Sequence, residues 1–187
     1  MNGKHSAALR TLASAADGRV IPLGELYGTR YAKGAAGDGF AVLPPAAAYR
    51  LRLSAGNAAR GIFGGNAGGM RLRNTLGALR SRRTPRTWLY SPADGVVTAL
   101  DPCGRLTLCT GDAVELCVEF GAGAELSAVQ GGRLSAGERF GSVASDALVE
   151  GCAAIVVFPD MERVTELHIE AGNRRGGRRT AWYGVYL

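Results

Sequence analysis

Two stretches of the chain repeat one another. Residues 16–23 read ADGRVIPL and residues 93–100 read ADGVVTAL, with five of the eight positions identical. Each unit sets an Asp-Gly turn immediately before an alternating apolar segment, the pattern of a turn feeding a β-strand. Further signals of the same kind follow. Residues 37–44 read GDGFAVLP, and in QGGRLSAGERFGSV (130–143) glycines punctuate short apolar pairs. AAIVVFP (153–159) is a continuous apolar run closed by proline, as expected of a buried strand. Glycine, at 28 of 187 residues, is about twice its usual share of roughly 7%. The expectation is many short, mostly antiparallel strands with one or two helical turns. Helical spacing is confined to residues 160–172, DMERVTELHIEAG, where Val164, Leu167 and Ile169 would face inward and Gly172 would end the turn.

A chain of this length is one domain by default and can bury a core without disulfides or metal. Its four cysteines, at 103, 109, 117 and 152, have no CxxC spacing, so neither a structural zinc site nor a disulfide scaffold is expected. No apolar run is long enough to span a membrane. The first 14 residues lack the apolar block of a signal peptide and read as a flexible leader. Reduced thiols in a cytoplasm follow as the expectation, and no cofactor is expected.

Charge is placed unevenly. Between Asp38 and Asp94 there is no acid, and that window holds nine arginines, so it carries +9 of a chain whose net charge is +6, leaving −3 for the rest. Residues 46–87 lack strand alternation and read as an exposed basic Gly/Arg-rich insertion. Met70, Leu72, Leu76 and Leu79 would share one face of a short basic helix there, weakened by Gly77. Residues 173–187, which include RRGGRR (174–179), read as a basic C-terminal tail.

The stretch VELCVEFG (114–121) places Val114, Leu116, Val118 and Phe120 on one face of a strand and Glu115, Cys117 and Glu119 on the other. Glu119 is therefore expected on a polar or half-exposed face.

Taken in order, these motifs resemble glucose-type enzyme IIA of the phosphoenolpyruvate-dependent sugar phosphotransferase system. Residues 15–45 resemble its opening Gly turn, Val-x-x-Leu strand and Gly-Asp-Gly-x-Ala-x-x-Pro motif. SPADGVVTAL is similar to its second strand, VELCVEFG to the strand ending in the phosphorylated histidine, residues 130–143 to its later hairpin, and IVVFPD to its closing segment. The resemblance covers 15–45 and 88–172. It implies an all-β fold, an antiparallel sandwich or flattened barrel, with the repeated strand motif inside it. It also implies a phosphoryl relay in sugar uptake: from the histidine phosphocarrier, to a nucleophilic histidine steadied by a second one, to a sugar permease.

The chain departs from that pattern at both histidines. The phosphorylated position falls on Glu119, and the supporting one on Cys103 or Gly104. The histidines present, His5 and His168, lie at neither motif position. His168 reads as a surface residue of the expected helix. Glu119 has three readings: an acyl-phosphate carrier, a partial mimic of the phosphorylated state, or a residue left after the chemistry was lost. Cys103 is either a thiolate acceptor, its pKa lowered by nearby Arg105, or an ordinary small residue after a turn.

Three functions compete on these grounds. The first is an enzyme IIA-like domain that has lost phosphate chemistry and acts by binding a phosphocarrier, permease or regulator. The second is a protein that binds nucleic acid or an anionic membrane surface through the arginine-rich insertion, with Arg71, Arg73, Arg80, Arg82 and Arg83 as anion contacts. The third is an active carrier using Glu119 or Cys103.

Overall fold

The computed structural model describes residues 7–31, 36–45, 85–101 and 103–186. Fourteen strands run through them: β1 (Ala7–Ala13), β2 (Gly18–Pro22), β3 (Asp38–Leu43), β4 (Arg86–Tyr90), β5 (Gly95–Asp101), β6 (Arg105–Cys109), β7 (Glu115–Phe120), β8 (Glu125–Leu126), β9 (Arg133–Leu134), β10 (Arg139–Ala144), β11 (Ala154–Phe158), β12 (Val164–Ile169), β13 (Gly172–Arg174) and β14 (Arg179–Tyr186). Among the described residues the helical content is one 3-10 turn, Leu23–Glu25. No helix there is long and apolar enough to cross a membrane. The architecture is an antiparallel β-sandwich, as the repeated turn-strand units and the resemblance led us to expect.

A central eight-stranded sheet has the order β13-β2-β3-β11-β7-β6-β5-β9, and two three-stranded sheets have the orders β1-β14-β12 and β4-β10-β8. About the β11–β7 pair the central order sets β3 opposite β6, β2 opposite β5 and β13 opposite β9, so the two strands of the sequence repeat, β2 and β5, occupy equivalent places. The repeat seen in the sequence is therefore the visible part of a duplicated sandwich half. Its chemistry is duplicated too. Ser14 Oγ donates to the Ala16 carbonyl at 2.7 Å, and Ser91 Oγ donates to the Ala93 carbonyl at 2.7 Å. Asp17 accepts from the Gly176 N–H at 2.9 Å, and Asp94 accepts from the Ala136 N–H at 2.8 Å. The halves also grip each other reciprocally: Ala13 N–H donates to the Pro92 carbonyl at 2.8 Å, and Tyr90 N–H donates to the Ala15 carbonyl at 2.9 Å.

The main core lies between the central sheet and the small sheets. Alternate residues of the central strands enter it, including Val20, Phe40, Val42, Leu106, Leu108, Leu116, Val118, Phe120, Val156 and Phe158, and Leu12, Leu89, Phe140, Tyr183 and Val185 meet them from the small sheets. The intervening residues of the same strands, Ile21, Ala41, Cys117, Ile155 and Val157, make a second cluster on the far face, covered by Leu23, Leu26, Tyr31 and Cys152. The run AAIVVFP is thus β11, apolar throughout because both its faces are buried.

The structure corrects several expectations. Residues 160–172 do not form a helix; Val164–Ile169 is strand β12, paired with β14. A register shift between Val164 and Glu166 leaves Thr165 as an extra residue. The inward positions therefore become 164, 167 and 169, a spacing that imitates a helical face. The supposed tail forms β13 and β14, with Ala181, Tyr183 and Val185 buried. Residues 7–13 of the supposed leader are β1, which pairs with β14 along its length. Arg86 and Thr87, assigned to the insertion, open β4. The expected basic helix around 70–79 and Arg71, Arg73, Arg80, Arg82 and Arg83 lie outside the described residues.

Two turns of the halves meet at Gly137 and Gly177, which have φ angles of 77° and 75°. A Cβ on Gly137 would lie 2.7 Å from the Gly177 carbonyl oxygen, and one on Gly177 would lie 2.9 Å from that of Gly137. Both the backbone conformation and the space demand glycine. Gly137→Ala and Gly177→Ala are each expected to cost more than about 1 kcal/mol, read as a shift in the urea midpoint. Gly111→Ala, where nothing lies within 4 Å of the added carbon, is the control that should change little.

Candidate functional site

The far face of β7 carries Glu119 and Cys117. β7 sits between β6 and β11, so Glu119 stands across from Arg105 on one side and from Ile155 on the other. One step back along the face, Cys117 lies between Thr107 and Val157. The segment after β2 then folds over this surface. The 3-10 turn Leu23–Glu25 starts it, Leu26 N–H donates to the Leu23 carbonyl, and the chain delivers Arg30 and Tyr31 to the Glu119 carboxylate.

Glu119 is on the face expected for it, but its environment is not the expected one. It is 9% exposed, because Tyr31, Leu23 and Leu26 cover a surface that the strand pattern alone would leave open. Burying a carboxylate without partners is costly, and two donors meet this one. The Tyr31 hydroxyl donates to Glu119 Oε2. Arg30 Nη2 donates to the same oxygen at 2.6 Å and to the Tyr31 hydroxyl oxygen at 2.6 Å. The three groups close a triangle. The Arg30 guanidinium also lies 4.8 Å from the centroid of the Tyr31 ring.

Protonation follows from the packing. Burial first, and then the bond to Glu119, pushes the Tyr31 phenol up to about 12. It therefore stays a donor throughout the neutral range. The Tyr31 oxygen and the Glu119 charge hold the Arg30 proton more firmly than usual. Arg105 extends the polar cluster: its Nη2 donates to Cys117 Sγ at 3.0 Å, and that bond raises the guanidinium's pKa.

The other candidates fare differently. Cys103 is exposed in the β5–β6 turn, where its N–H donates to Asp101 Oδ1 at 2.7 Å. The Asp101 carboxylate, as hydrogen-bond partner and as charge, pushes the Cys103 thiol up. The expected lowering by Arg105 is thus reversed, and Arg105 serves Cys117 instead. Gly104 has a φ of 128°, and a Cβ there would lie 2.3 Å from the Phe120 carbonyl oxygen. No side chain fits at that position without moving β7. His168 lies on β12, stacked on Trp182 at 5.2 Å between centroids, and takes no part in the site. A cavity of about 300 Å³, lined by residues that include Ala113, Glu115, Pro159, Asp160 and Arg163, opens at the start of β7 and contains none of these groups.

Reading the sequence did not single out Arg30, Tyr31 or Cys117. The signal available was TRYAKG between two recognisable strand motifs, a loop carrying an aromatic and cations where a link alone would do.

No protein-family model matches the chain, and no curated protein does. Among solved structures, it is similar to the glucose permease IIA from Mycoplasma capricolum, with a TM-score of 0.60 and 16% sequence identity over 97% of this chain and 99% of that one. The likeness spans the whole sandwich and shows that the two share a fold.

The triangle sets an order of costs. Tyr31→Phe removes the buried donor to a charged acceptor and is expected to lower stability by about 1.5–3 kcal/mol. Arg30→Ala removes a partner whose side chain is 60% exposed and should cost about 0–1 kcal/mol. Urea unfolding of both variants checks the order. The pH dependence follows from the raised phenol. An unfolded tyrosine titrates near 10 and Tyr31 near 12, so the unfolded chain loses its proton first. This contribution is complete below about pH 10 and is lost as pH rises to about 12. Tyr31→Phe should flatten that part of the stability curve.

Proposed function

We propose that this chain is an enzyme IIA-like domain of a sugar phosphotransferase system that no longer relays phosphate and acts by binding. Its partner is the histidine phosphocarrier or the sugar permease, the partners that the family resemblance implies. One observation carries the reading. At the position where the resemblance puts the phosphorylated histidine stands a buried carboxylate whose Oε2 already accepts from Tyr31 and Arg30.

The chemistry supports this. A phosphocarrier needs a nucleophile with a lone pair free to meet phosphorus, and a second group to steady the transferred phosphoryl. In Glu119 the oxygen that faces the loop is occupied by two donors. At the supporting position, Gly104 accepts no side chain, and the thiol of Cys103 is held protonated by Asp101. A fixed carboxylate supplies one negative charge where a phosphoryl group would supply about 1.5 to 2. The cations around it, Arg30 and Arg105, are of the kind a phosphorylated side chain attracts. The site thus resembles a permanently and partially charged form of a carrier. This favours constant association with a partner over a cycle of charging and discharging.

The test is intact mass after incubation with phosphoenolpyruvate, enzyme I and the histidine phosphocarrier, with an active IIA domain labelled in parallel. No mass gain is expected, with or without alkylation of the cysteines. A phosphate-sized gain would overturn the reading; its loss on alkylation would assign it to a cysteine, and its survival would point to Glu119. Binding is measured separately, by immobilising the chain and passing phosphocarrier and permease cytoplasmic domain over it. Association with one of them is expected, and should weaken in Glu119→Gln. If neither associates, the binding role is wrong.

A further inference from the structure

The outer face of the β4-β10-β8 sheet carries chemistry that the Glu119 site does not use. On β4, Leu89 enters the core while Arg86, Trp88 and Tyr90 point the other way. Trp88 is 44% exposed. From β10, Arg139 lays its guanidinium carbon 4.3 Å from the centroid of the Trp88 ring and 5.7 Å from that of Tyr90. The Tyr90 ring in turn fills the space above the turn between β13 and β14: a Cβ on Gly176 would come within 2.2 Å of it. The two glycines of RRGGRR therefore seat an aromatic ring, and Arg175 and Arg178 flank the seat. Trp88, Arg139 and Tyr90 form one strip, which ends at the turn that carries Arg175 and Arg178.

The charges on the strip are unevenly matched. Arg86 pairs with Glu125 at 2.9 Å, and Arg174 and Arg179 share Glu170. Asp17, Asp94 and Glu138 each accept a backbone N–H. Among the described residues, Arg139, Arg175 and Arg178 make no ion pair. One of these cations, Arg139, lies on the exposed indole, and the other two belong to the turn on which the Tyr90 ring sits. Stacking on the rings fixes the Arg139 plane and leaves its N–H edge free to donate.

We propose that this strip binds single-stranded nucleic acid. The exposed part of the Trp88 indole that Arg139 leaves uncovered stacks on a base, and Arg139, Arg175 and Arg178 take the phosphates along the backbone. An acidic peptide or an anionic lipid surface would engage the guanidiniums and leave the indole idle. A single strand uses both, because every base has a π-face and every linkage a phosphate. Recognition of this kind is tolerant of sequence and sensitive to salt. The strip lies on the small-sheet side of the sandwich, whereas Glu119 lies on the far face of the central sheet, so this proposal does not depend on the phosphotransferase reading.

The experiment uses the full chain and a fluorescein-labelled oligothymidylate, read by anisotropy, with unlabelled oligothymidylate and tryptophan fluorescence in a Trp182→Phe background. We expect binding that quenches Trp88 and weakens as salt is raised. Trp88→Leu and Arg139→Gln should each weaken it roughly tenfold, and Trp88→Phe should keep most of it. Arg139 is exposed, so its variant tests the strip even where a change at Trp88 disturbs the sheet. Three results would overturn the proposal: no binding, binding by both variants equal to that of the unaltered chain, or binding of heparin or phosphatidylserine vesicles that matches the oligonucleotide and ignores Trp88.

Discussion

The reciprocal contact between the two sandwich halves is the constraint on which the rest of the structure rests. Each half donates one backbone N–H into the turn of the other, Ala13 to Pro92 and Tyr90 to Ala15. Each also presents a glycine where the other's carbonyl oxygen leaves no room for a side chain. These contacts fix the small sheets over the central one. They align β11 beside β7 at the middle of an eight-stranded order in which β2 and β5 sit at equivalent places on either side. A site built on β7 is consequently at the centre of the sheet, with a paired strand on each side.

The halves are alike in backbone and unlike in chemistry. Among the described residues, the segment after β2 lays an aromatic and a cation over the far face of the central sheet, and that is what turns Glu119 from a surface acid into a buried one. Once buried, the carboxylate must be matched, and Tyr31 and Arg30 do so with a single oxygen as the common acceptor. The energetic logic is that of a satisfied polar cluster in a low-dielectric setting: each donor is worth more there than in water, and each loss leaves a charge exposed to apolar neighbours. A group held in this way is well suited to present a constant charge and poorly suited to attack phosphorus.

The same duplication accounts for the outer surfaces. Trp88 stands across from Ser142 in one small sheet and Trp182 across from Thr11 in the other, at corresponding places on different strands. Their settings diverge. Trp182 is stacked on His168, whereas Trp88 is stacked on a guanidinium and remains open to solvent. A repeated scaffold thus presents two different faces, and the basic one belongs to the half whose neighbouring turn is RRGGRR.

Local pattern was enough to settle the class of fold. The Asp-Gly turns, the alternation in VELCVEFG and the unbroken run AAIVVFP each depend on near neighbours in the chain, and each became a strand with the expected faces. The order of those motifs pointed to the sandwich now seen, and the place of Glu119 on β7 was legible from period two alone. The helix expected at 160–172 failed because one extra residue in β12 shifts the inward positions to helical spacing, and only the pairing with β14 exposes the shift. The tail failed because glycine and arginine dominate its first half, while the alternation of Ala181, Tyr183 and Val185, like that of β1, has meaning only once β1 and β12 flank β14. The burial of Glu119 could not be read at all. It depends on Tyr31, 88 residues away in the chain. Sequence patterns fix which way a side chain points; what covers it is decided by how distant segments pack.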